Sequence, residues 1–175
     1  MAKDFLNVIE RALMMGISDK INSLTETGED IHVFGEFPET GDLKFPAIIV
    51  EQTGSGFEEQ FMGQKASLGS SSGTGEIYGI TYTIHLICDK ESNIQVTSGA
   101  SSASDVYYKQ RRLLNWLMLN VANTVADLDW DTYEEEDTQI IERHLQGWTN
   151  IGFIPELQWY GASAVFMLTF TNFRT

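Results

Sequence analysis

The chain sets 25 acidic side chains against 11 basic ones over 175 residues, a formal charge of −14. That excess repels nucleic-acid phosphates, whose binding is driven by Lys and Arg releasing condensed counterions, so sequence-specific nucleic-acid recognition is not expected. An apolar content of 42% argues against global disorder, and the length suits one domain covering 1–175.

Cys88 is the single cysteine, so no internal disulfide is expected, and it falls on the apolar side of a predicted strand as a small buried hydrophobe. The opening "MAKDFLNVIERALMMG" breaks its apolar pattern with acids and reads poorly as a signal peptide. No apolar run approaches the ~20 residues that cross a bilayer. A soluble protein made in a reducing compartment, with no membrane partner, is the expectation.

Residues 3–25 predict an amphipathic helix, with Phe5, Val8, Ile9, Ala12, Leu13, Ile17, Ile21 and Leu24 on one stripe and the glycine of "TETGED" ending it. "IHVFGEF" predicts a short strand. "FPAIIVEQ" (45–52) predicts another, with Pro46 at its start where a missing N–H does least harm. "GSGFEEQFMGQ" reads as a further short strand.

The Ser/Gly tract "GSSSGTG" then gives way to the clearest strand in the chain. Tyr78, Ile80, Tyr82, Ile84, Leu86 and Cys88 point one way; Gly79, Thr81, Thr83, His85 and Asp89 point the other. The tract is expected to be the flexible tip of a hairpin whose second arm begins at Glu76. A second tract, "TSGASSAS" (97–104), leads into a predicted helix with Ser104 or Asp105 as its N-cap. Its stripe is Leu113, Leu114, Leu117, Val121, Val125 and Leu128, widened by Trp116 and Leu119, and about 24 residues would span about 36 Å.

"DWDTYEEEDT" predicts an acidic loop or hairpin tip. "QIIERHLQGWTNIGF" and "ELQWYGASAVFMLTFTNF" predict two C-terminal strands. In the last, Tyr160, Ala162, Ala164, Phe166, Leu168 and Phe170 make one face, while Trp159, Val165 and Met167 leave the other partly apolar. The order predicts an α+β domain: two helices packed on a mainly antiparallel β-sheet, with an extended β-hairpin and flexible Ser/Gly tips. A helix or another subunit is expected on the second face, since contiguous apolar surface marks a contact.

Chemistry is harder to find. A phosphate loop follows a strand and opens a helix, whereas "GSSSGTG" precedes a strand and lacks the Gly-Lys-Ser/Thr ending. His32, His85 and His144 are scattered over strands without metal-ligand spacing, and no G-x-S-x-G elbow is present. Asp127, Asp129 and Asp131 match the first ligands of a calcium loop, but Thr132 stands where that turn needs Gly and Thr138 where it needs Glu. The expectation is no catalytic residue, no cofactor and no metal.

The side chains that do invite a partner are Gly69, Ser70, Ser71, Ser72 and Gly73 at the tract. Arg111 and Arg112 join them on the helix, Trp130, Asp131, Glu134 and Glu135 in the acidic segment, and Trp159, Val165 and Met167 on the last strand. Trp130 between two aspartates reads as an interface anchor.

An amphipathic helix, "FPAIIVEQTG", a polar hairpin, "EIYGITYTIHLICD", "YYKQRRLLNWLMLNVANTV" and a closing pair of strands follow in that order. Taken together they resemble the bacteriophage tail-terminator or tail-completion (neck) proteins. The resemblance covers nearly the whole chain and rests on element order. It implies a structural, non-enzymatic virion protein, assembled in the host cytoplasm, that forms a homo-oligomeric ring, a hexamer, at the head-proximal end of the tail tube. Its implied partners are further copies of itself, the tail tube protein, the head–tail connector or neck proteins, and the sheath where the tail contracts, with DNA passing through the lumen. Three alternatives stay open: a head-completion or connector-adaptor neck protein, a monomeric peptide- or sugar-binding domain, and an enzyme whose site forms only from residues distant in sequence.

Overall fold

A computed structural model describes residues 5–26, 28, 30–39, 41–57, 65–68, 71–96, 106–128 and 138–174. The chain opens with helix α1 (Phe5–Asn22). Ile9, Ala12, Leu13, Ile17 and Ile21 are its buried stripe, as the three- and four-residue spacing predicts. The helix ends at Asn22, before the expected residue 25, because Thr25 bridges to Val96 and the Glu26 N–H donates to the Gln95 carbonyl at 3.0 Å, while Asn22 ties down the loop that follows. Asn22 Oδ1 accepts the Ile31 N–H at 3.0 Å and its Nδ2 donates to the Ile31 carbonyl at 3.1 Å. Gly28 is therefore not the helix cap; with φ +75° it turns the loop beyond, where its N–H donates to Thr25 Oγ1.

Strand β1 (His32–Phe34) runs parallel to β2 (Ala47–Phe57), pairing His32 with Ala47 and Phe34 with Ile49. β2 extends past the expected residue 52 through a bulge between Gln52 and Gly54, so "GSGF" continues it and is no separate strand. Residues 58–64 of that segment lie outside the described residues.

β3 (Lys65–Leu68) and β4 (Ser71–Asp89) form the hairpin, with Leu68 opposite Ser71. This corrects the expected arm starting at Glu76: Ser71, Ser72 and Gly73 are paired strand residues, opposite Leu68, Ser67 and Ala66. Backbone hydrogen bonding to Lys65–Leu68 suffices to order a tract that has little side chain to pack. Along β4 the predicted alternation holds, with Tyr78, Ile80, Tyr82, Ile84, Leu86 and Cys88 buried.

β5 (Asn93–Val96) and β6 (Val106–Lys109) make a separate two-stranded ribbon. Here the expected long helix is wrong at its start. Val106, Tyr107 and Tyr108 favour a pleated strand and pair with Asn93–Val96. Lys109, still extended at φ −133° and ψ 150°, is the N-cap in place of Ser104 or Asp105, which lie outside the described residues. Gln110, at φ +49°, reverses the chain into α2 (Gln110–Asp127). Its 18 residues span about 27 Å, not 36. Leu113, Leu114, Leu117, Val121 and Val125 are buried as expected and Trp116 half-buried, but Leu119 is exposed.

The expected penultimate strand is two, β7 (Thr138–Leu145) and β8 (Thr149–Ile154), interrupted around Gly147. Both lie antiparallel along the same edge of β9 (Trp159–Arg174). The main sheet runs β1-β2-β4-β9-β7, and all its pairings are antiparallel except β1 with β2. The helices pack on each other and on one face of this sheet, enclosing a single core in which Tyr82, Phe166 and Phe170 are the largest fully buried side chains.

Candidate assembly surface

Strand alternation decides which side chains face away from the helices. Residues directly opposite across a ladder share a face. The register sets Met167 against Thr81 and His144, Val165 against Thr83, Ser163 against His85, and Trp159 against Asp89 and Ile154. Trp159, Val165 and Met167 are thus brought together on the face opposite the core, as the sequence predicts. No helix covers that face among the described residues.

The segment after β1 covers only one end of it. Phe37 packs on His85, ring centroids 5.1 Å apart, and Phe45 packs on Trp159 at 5.0 Å. Ala47 and Ile49, on the same face of β2, are fully buried there. Beyond this cover the β2–β4 side is polar: His85 Nε2 lies 3.3 Å from Glu51 Oε2, and Thr83 Oγ1 donates to Thr53 Oγ1 at 3.2 Å. Exposed apolar side chains are nonetheless spread along this face. Met167 is 46% exposed, Phe37 53% and Ile151, which sits over Gly161, 55%. Single exposed hydrophobes are ordinary; several together on one open sheet face are what contact surfaces are commonly built from.

Arg111 and Arg112 stand apart from this face, exposed on the first turn of α2. Arg112 lies over the Tyr108 ring at 5.8 Å, and Tyr108 stacks on Trp116 at 5.9 Å. Gly69, Ser70, Trp130, Asp131, Glu134 and Glu135 lie outside the described residues. Trp148 packs against the core, its Nε1 without a hydrogen-bond partner among the described residues.

Sequence reasoning missed Phe37 and Ile151. Phe37 sits in a turn-rich connection with no periodicity, and Ile151 belongs to a bulge between Asn150 and Gly152 that breaks the alternation. It also missed a cavity of about 560 Å³ between the C-terminal halves of the two helices, which no local pattern announces. Among the described residues no group of three or more His, Cys, Asp and Glu gathers as metal ligands.

Among the described residues burial shifts four titratable groups, and it pushes the His32 imidazole down together with the Lys44 charge. Burial, reinforced by Asp89, pushes the Cys88 thiol up to about 12. Burial and the nearby Glu10 push the Tyr82 hydroxyl up. Burial, then the Glu36 carboxylate, raises Glu10 above the ordinary 4.5.

Comparison with known proteins places the chain in no family. It matches no family model and no curated protein.

Proposed function

We propose that this chain is a structural, non-enzymatic virion subunit of the tail-terminator kind. Copies close into a ring at the head-proximal end of a phage tail tube, end tube growth there and offer a docking surface to the head connector. The uncovered face of β9 carries the reading: Val165 and Met167, with Ile151 and Phe37 beside them, lie on a sheet face that the helices leave open. A ring subunit meets two flanking copies through contacts that close on themselves, and such a face is covered in the assembly.

Two further features support it. β4 has 19 residues and spans about 63 Å, more than twice the about 27 Å of either helix, and among the described residues its Ser71–Gly73 end pairs with β3 alone, as a contact arm would. A charge of −14 suits a lumen that lets DNA slide through without gripping it.

Placing lysines at Val165 and Met167 tests the reading. Neither side chain belongs to the core, so Val165→Lys with Met167→Lys is expected to leave the thermal midpoint near that of the wild type. Assembly, followed by sedimentation, is expected to weaken at least about tenfold, or about 1.4 kcal/mol. Unchanged assembly would remove the face from the contact.

A further inference from the structure

The charges on α2 run against its dipole. Aligned peptide units leave the N-terminal end of a helix partly positive and the C-terminal end partly negative, so acids belong in the first turn and bases in the last. Here the first turn holds Arg111 and Arg112 and no acid, and the last turn holds Asp127 and no base. Arg111 and Asp127 form no ion pair among the described residues. Nor can the two ends satisfy each other, because 16 positions of helix separate them by about 24 Å.

At the Asp127 end lies the cavity of about 560 Å³. Its α2 wall presents Asn120, Asn123 and Asp127, spaced so that all three share one helix face. Asp19 and Lys20 of α1 stand opposite. The Asn120 amide N–H donates to the Trp116 carbonyl at 2.7 Å, leaving its own oxygen as an acceptor. Arg143 reaches in from β7 to the Leu128 carbonyl at 2.8 Å, but Arg143 is not part of the cavity wall. The cavity thus sets the carboxylates of Asp19 and Asp127 and the Asn120 oxygen against one cation of its own wall, Lys20, with the Arg143 guanidinium already at its edge on the Leu128 carbonyl. That chemistry fits a guanidinium group, which has five N–H donors and no acceptor.

We propose that the two ends of α2 are complementary halves of a head-to-tail contact between copies of this chain, the Arg111–Arg112 end of one copy seating in the Asn120–Asn123–Asp127 cavity of the next. A second copy is the favoured occupant because one chain carries both halves, at opposite ends of one rod. With an overall charge of −14, most pairs of surfaces on two copies repel, so attraction requires a local match such as this one. The contact is heterologous, and repetition yields either a closed ring or an open filament. Closure rests on the ring-forming reading above; the contact itself does not.

Charge reversal gives a test that simple destabilisation cannot mimic. Arg111→Glu with Arg112→Glu corrects the dipole mismatch at one end of α2, and Asp127→Arg corrects it at the other. Each is expected to raise the thermal midpoint of the isolated subunit by a few degrees while weakening self-association more than about tenfold. The variant with all three substitutions restores opposite charges across the contact and regains association, at least in part. Sedimentation equilibrium of the full chain at low and high salt reads all four proteins, and wild-type association is expected to weaken as salt rises. Reversals that leave wild-type association intact would overturn the contact while sparing the ring. A wild type that stays monomeric at low salt and the highest attainable concentration would also overturn it.

Discussion

Cys88 lies fully buried on the core face of β4, and its thiol is pushed up to about 12. Only about one molecule in 10⁵ then carries a thiolate at neutral pH, against a few per cent for a free cysteine. Reaction with a disulfide reagent is expected to be at least about a thousandfold slower in the folded protein than in denaturant. Rapid labelling of folded protein would show that β4 opens locally. Its burial was legible in the sequence, since it continues the alternation that starts at Tyr78.

Glu10 was not legible in that way, because the groups that perturb it come from elsewhere in the chain. Its carboxyl is raised above 4.5 by burial and by Glu36, so the folded state holds the proton more tightly than the unfolded state. This contribution to stability is fully present below pH 4.5 and is lost as pH rises through the raised folded value. Glu10→Gln is expected to be more stable than the wild type at neutral pH and to match it below pH 4.5, as denaturant midpoints would show. A constant difference at all pH values would mean that the proton is not the cause.

The elements divide by how local their causes are. β4 and β9 announce themselves, because one buried face imposes period two, and α1 does so through its apolar stripe. The start of α2 misleads. "VYYKQRRLLNWL" is continuous with a helical pattern, and only the pairing of Val106–Lys109 with Asn93–Val96 draws its first four residues into a strand. Tertiary partners also decide the hairpin. Ser71, Ser72 and Gly73 carry no apolar pattern, and the backbone of Lys65–Leu68 is what orders them.

Among the described residues Ser71–Gly73 pair with β3 alone; β9 joins β4 at Thr74 and β2 joins it at Tyr78. Deleting residues 66–73 is therefore expected to move the thermal midpoint by less than about 4 °C, the effect of about 1 kcal/mol in a chain of this size. The same deletion is expected to weaken assembly at least about tenfold, because it removes the hairpin end proposed as a contact arm. Loss of folding on deletion would make the hairpin structural and not a contact arm.

At the scale of the whole molecule, the α+β architecture follows from the order of apolar patterns, which place two helices on one face of an antiparallel sheet. The open sheet face was only half readable. Val165, Met167 and Trp159 share a face by strand parity, which a sequence displays. Phe37 and Ile151 arrive there through a crossover and a bulge, and the cavity arises where the ends of two helices remote in sequence meet. Such features depend on chain path, and residue pattern does not encode them locally. What unites the open sheet face, the hairpin end and the mismatched charges of α2 is that each is left incomplete within one copy.

Native mass spectrometry over a wide concentration range, with negative-stain imaging of the same samples, tests ring formation most directly. Closed rings of one discrete subunit number, dissociating to monomer on dilution, are the predicted result. A monomer at every concentration, or filaments with open ends, would contradict it.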